Sequence, residues 1–153
     1  MTPETPDDEA FVKILEISGD INFYAPTVPL AKNLSATMPT YVYRFNEPNH
    51  WPGQWQGKVS HIHDLVYLLL NFNENLSEQQ KQLAEEFASD VISFVNGREP
   101  WQRYKSAKVF KAGETKVVED LPEEVGRRKI IFEIAEEVGW DPYAEALGAW
   151  FRG

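Results

Sequence analysis

Apolar residues recur at intervals of three and four through Leu83, Phe87, Val91, Phe94 and Val95, the spacing of one helix face. Ser77 opens that stretch, Gln80 follows three residues later in a capping-box pattern, and Gly97 supplies the stop. Residues 40–45 run to another rhythm: Thr-Tyr-Val-Tyr-Arg-Phe is β-branched and aromatic, lies between Pro39 and Pro48, and predicts a strand. Large side chains on both of its faces predict cover on both sides, as in α/β sheets. Two shorter β-type segments, 107–111 and 115–119, flank Ala112-Gly113-Glu114 and predict a hairpin.

The remaining pattern is helical. A short helix is expected over 10–17, stopped by Ser18-Gly19, and a second from Asp20 to about residue 36, interrupted by Pro26 and Pro29. Residues 64–71 read as a short apolar helix. Residues 123–138 carry Ile130, Ile131, Ile134 and Val138 on one side, and Asp141 caps a last helix ending near Phe151. Residues 1–9, rich in Pro, Thr and acid, read as a disordered tail before a structured portion over 10–153. The fold class is helix-rich α/β, with about three strands (40–45, 107–111, 115–119) and five or six helices. So small a sheet cannot cover so many apolar helix faces, which predicts part of a larger α/β unit.

Composition narrows the function. A formal charge of −9 argues against nucleic acid and against anionic membrane surfaces. No apolar run approaches the length of a membrane span. Without cysteine there is no disulfide, thiolate nucleophile or zinc–thiolate site. The acidic N-terminus has no apolar signal-peptide core. The sequons at Asn33 and Asn75 would suit an extracellular parent, and the compartment stays open.

The candidate chemistry is concentrated in Ser60-His61-Ile62-His63-Asp64, which holds two of the chain's three histidines. Imidazole is both the readiest proton carrier near neutral pH and the commonest metal ligand. A metal-dependent hydrolase would use His61, His63 and Asp64. The familiar His-x-His-x-Asp-His pattern, however, needs a spacer before the acid and another His after it, and here Leu65 follows Asp64. No metal and no cofactor are expected. A serine-type site needs a nucleophile, and no Gly-x-Ser-x-Gly elbow occurs in the sequence. The bland reading makes both histidines ordinary loop residues.

Five features appear in order from about residue 17 to 120: Gly19-Asp20 with Phe23 and Pro26, the strand Tyr41-Val42-Tyr43-Arg44-Phe45, His61-x-x-Asp64-Leu65-x-Tyr67, Phe94-Val95-Asn96-Gly97-x-x-Pro100-Trp101, and Tyr104. Together they resemble the C-terminal part of a type B carboxylesterase, of the cholinesterase/lipase family of α/β-hydrolases. The resemblance implies that 10–153 is the C-terminal portion of such a domain. It also implies that His61 is the triad histidine, with Asp64 and Ser60 supporting it and His63 a bystander. In this family Gly normally follows the His; here it is Ile62, and Leu69 stands where Phe is usual. Nucleophile, oxyanion hole and acid would precede this chain, so it is expected to be inactive alone. The expected partners are a carboxylic ester and a complementing N-terminal part or a second copy. The alternatives are a non-catalytic cholinesterase-like interaction module and the metal-dependent hydrolase.

Overall fold

A computed structural model describes residues 5–119 and 127–152. They form two compact units: residues up to Leu30 with those from Arg127 onward, and residues from Ala31 to 119. The expected tail over 1–4 and the start of the helix expected from 123 lie outside the described residues.

The first unit is helical. α1 spans Asp7–Gly19, so Asp7 to Glu9 form a first helical turn where tail was expected. The stop expected at Ser18-Gly19 does not occur. Gly19 stays right-handed at φ −62°, a π-helical turn follows over Asp20–Tyr24, and α2 continues over Ala25–Ser35. Glycine ends a helix by turning left-handed, and here the backbone N–H of Asp20 bonds back to the carbonyls of Glu16 and Ile17 instead. The wider π turn shifts the hydrogen-bond register just before Pro26, which then falls in the first turn of α2, where a missing N–H costs little.

At the other end of the sequence, α5 spans Arg127–Val138 and α6 spans Trp140–Arg152. Ile131 and Ala135 are the buried positions of α5, while Ile130, Ile134 and Val138 are exposed. The apolar side expected from the isoleucines is thus only partly used. Phe132 makes edge contacts with Tyr24 and Trp140, at ring-centre distances of 6.1 and 5.5 Å.

The second unit holds the sheet. β1 (Val42–Phe45) pairs in parallel with β2 (Ala107–Lys111), and β2 pairs antiparallel with β3 (Glu114–Val118), in the order β1-β2-β3. The register sets Phe45 beside Phe110 and Phe110 beside Thr115. The predicted hairpin forms with a two-residue loop, Ala112-Gly113, both at positive φ (53° and 74°). Gly113 is needed twice over: its φ suits glycine, and an added Cβ would lie 2.8 Å from the Gln79 Cβ.

Short α3 (His63–Leu68) and long α4 (Glu78–Val95) pack on one sheet face. Tyr67, Leu76, Leu83, Ala84, Phe87 and Phe110 form the buried cluster there, with Phe45, Trp51 and Val91 at its margin. On the opposite face Val42 and Ala107 pack with Ala31 of α2. The predicted cover on both faces is therefore present, although Tyr43 stays 41% exposed. β1 is an edge strand: among the described residues it pairs with β2 alone.

α4 follows its local signals. The Ser77 side chain accepts from the Gln80 N–H, and the Gln80 side chain accepts from the Ser77 N–H, closing the capping box. Gly97 at φ 73° ends the helix. Lys108, on β2, points to α4 and is held by Glu86 and Asp90. Burial pulls its ammonium down, but hydrogen bonds to the two carboxylates outweigh that and raise it. No helix among the described residues is long and apolar enough to cross a membrane.

Candidate active site

The histidine segment is reached from β1 through a loop over 46–62. Within it Asn49 N–H donates to the Lys58 carbonyl (2.8 Å) and Gly57 N–H to the Asn49 carbonyl (2.6 Å), so the loop closes on itself. His50 lies tilted against Trp51 with ring centres 3.9 Å apart, and its Nε2 donates to the Asn75 carbonyl at 3.0 Å. These contacts return the chain to the start of α3 with Ser60 and His61 exposed.

Ile62 makes the turn. It lies at φ 68° and ψ 0°, the left-handed region, immediately before α3. A β-branched side chain is strained there, and glycine is not. The position at which the resemblance expects glycine is thus one where the backbone calls for it. His63 then enters the helix and turns inward. It is 5% exposed, with ring centres 6.0 Å from Phe45, 5.7 Å from Trp51 and 5.4 Å from Tyr67. Neither of its ring nitrogens has a hydrogen-bond partner among the described residues. Burial lowers its pKa, as does the neighbouring His50, while Glu47 and Asp64 pull the other way.

Asp64 follows in the first turn of α3. Tyr43 Oη, from β1, donates to its Oδ2 at 2.9 Å. Burial, then the Asp64 charge and this hydrogen bond, push the Tyr43 phenol up to about 12. The four residues are therefore not brought to one point. His61 and Ser60 face outward, His63 lies in the aromatic core, and Asp64 is engaged by β1. Among the described residues no group of three or more His, Asp or Glu side chains is placed to hold a metal ion. A groove lined by Ser35, Thr37, Met38, Pro39, Arg103 and Tyr104 does not include His61.

Sequence reasoning passed over Glu47, which is 2% exposed. Its Oε1 accepts from Gln80 Nε2 (2.9 Å) and its Oε2 from the Gly113 N–H (2.8 Å). The same Gln80 nitrogen reaches Tyr67 Oη at 3.2 Å. One carboxylate thus ties the end of β1 to the start of α4 and to the β2–β3 turn. A cue was present: continuing the two-residue alternation of Tyr43 and Phe45 puts Glu47 on the same face, toward α4.

The model of the carboxylesterase family matches residues 2–131. Among solved structures, a PNB esterase matches with a TM-score of 0.62 at 23% sequence identity, over 71% of this chain and 25% of that one. At that identity the likeness is one of fold, and this chain spans about a quarter of that protein's length. No protein of curated function matches.

Proposed function

The chain belongs to the carboxylesterase family, and on that premise we propose that it is the C-terminal portion of a carboxylic-ester hydrolase in which His61 is the general base. The observation that carries the reading is the order of elements around His61. A strand paired in parallel leads into a loop, the loop presents an exposed histidine, and a left-handed residue then turns the chain into a short helix. A histidine so placed is accessible to a serine on a neighbouring segment.

In this reading His61 takes the proton of the serine hydroxyl as its oxygen attacks the ester carbonyl, then delivers it to the departing alcohol. A water molecule repeats the cycle on the acyl-enzyme. Asp64, held by Tyr43, anchors the first turn of α3. The Ser60 carbonyl accepts the His63 N–H at 3.3 Å and shapes the turn from which His61 projects. No Gly-x-Ser-x-Gly occurs in these 153 residues. The serine, its oxyanion hole and the acid that orients His61 must come from outside them, and these residues alone do not turn over esters.

The test is complementation. The chain is combined with an N-terminal carboxylesterase portion bearing Gly-x-Ser-x-Gly, and hydrolysis of p-nitrophenyl acetate is followed. Activity is expected only from the combination, falling at least about 1,000-fold in His61→Asn. Equal rates with and without His61 would sink its assignment, and His61-dependent turnover by the chain alone would sink the requirement for a complement. Ile62 at positive φ favours a second reading, a non-catalytic interaction module that has lost the glycine of an active loop. That reading predicts a complex that forms yet stays inactive even with Ile62→Gly.

A further inference from the structure

His63 is a buried titratable group that the proposed chemistry does not use. We infer that it is an acid-sensitive latch: neutral, it packs in the aromatic cage and pins the turn bearing His61; protonated, it leaves the cage and frees that turn. This rests on the cage and the hinge, and does not depend on the hydrolytic reading.

The cage offers an imidazolium nothing to bond. Phe45 from β1, Trp51 from the preceding loop and Tyr67 from α3 surround the ring, and neither nitrogen meets an acceptor among the described residues. A neutral ring tolerates apolar packing far better than a charge does, since an ion without partners is expelled from a low-dielectric site or loses its proton.

The charged and titratable neighbours do not rescue it. Glu47, at the end of β1, favours the cation, but its oxygens are already taken by Gln80 and the Gly113 N–H. Asp64, next to His63 on α3, is engaged by Tyr43. His50, from the loop, opposes the cation. Tyr67 is itself held protonated, its pKa raised by burial and by Glu47.

The hinge is adjacent. Ile62 holds φ 68° between the exposed His61 and the buried His63, so the strain of that residue is relieved when the turn opens. Protonation, which takes a proton from solvent onto the ring, therefore acts in the same direction as the strained backbone.

The test follows histidine resonances and amide hydrogen exchange of the whole chain between pH 8 and pH 4.5. The His63 N–H donates to the Ser60 carbonyl and the Leu65 N–H to the Ile62 carbonyl, and both bonds span the turn. Below pH 6.5 their protection factors are expected to fall about tenfold per pH unit until the His63 ring titrates in the closed state. In His63→Phe the protection should not vary with pH, while His50→Gln and His61→Gln should keep the dependence. The wild-type chain alone also decides the matter, should His63→Phe fail to fold. A His63 resonance that titrates with no loss of protection at those amides would overturn the latch, and so would a dependence that survives in His63→Phe.

Discussion

Two stretches of the second unit, adjacent in sequence, are built on opposite terms. From Ser77 to Val91 the helix has its capping box, and Leu83, Ala84 and Phe87 are at most 1% exposed. From Ile62 to Phe72 the chain holds three non-glycine residues at positive φ, Ile62, Leu70 and Phe72, and leaves Ile62, Leu65, Leu69, Leu70 and Phe72 exposed. In the first stretch local preference and tertiary packing agree; in the second they conflict. Strain and exposed apolar surface persist in natural folds mainly where something other than stability is served. The conflict falls on the segment that follows His61, the residue proposed as the base.

The contrast can be attacked from its strong side first. Phe87→Ala should cost about 3–5 kcal/mol in denaturant unfolding, because the ring meets Tyr43, Phe45 and Phe110 and leaves a cavity among them. A loss under about 1 kcal/mol would mean that the α4 face is no better packed than the histidine segment. Glu47→Ala should cost about 2–3 kcal/mol, as it leaves the half-buried Gly113 N–H and the Gln80 amide without their acceptor in an otherwise buried position. Glu47→Gln keeps an acceptor oxygen and should recover part of this, which a side-by-side urea titration would reveal.

Smaller effects probe the strained side. Ile62→Gly should stabilise by about 1 kcal/mol, since relief of about 1–2 kcal/mol of left-handed strain is partly offset by the freer unfolded backbone. Thermal or denaturant unfolding in which this change destabilises would remove strain from the account. Ser77→Ala should go the other way by about 1 kcal/mol through loss of the cap.

Acid probes His63. Its pKa is lowered in the folded chain, so between its folded value and the unfolded 6.5 the unfolded chain binds more protons. The stability linked to His63 is therefore complete above pH 6.5 and is lost as pH falls toward the folded value. Urea midpoints that slope downward over that window in wild type, and are flat there in His63→Phe, are the expected result.

How much of this was legible in the residues varies from one element to the next. The Ser77/Gln80 box, the Gly97 stop and the turn at Ala112-Gly113 each depend on interactions within about four residues and form where the pattern puts them; the strand expected over 40–45 forms over Val42–Phe45, held by pairing with the distant β2. The family, too, was legible from short motifs in order. Gly19 carries the pattern of a stop but does not act as one, because Asp20 N–H bonds back to the Glu16 and Ile17 carbonyls and a π turn carries the helix on.

Tertiary structure alone decided the rest. His61 and His63 are the same residue type two positions apart, and only the left-handed turn between them and the waiting rings of Phe45, Trp51 and Tyr67 send one outward and the other in. Glu47 reads as a surface acid until Gln80 and Gly113, distant in sequence, arrive to bond it. Caps and turns are short-range and are written where they act. Burial, and with it the charge state of a histidine or a glutamate, is a property of whatever the rest of the chain brings alongside.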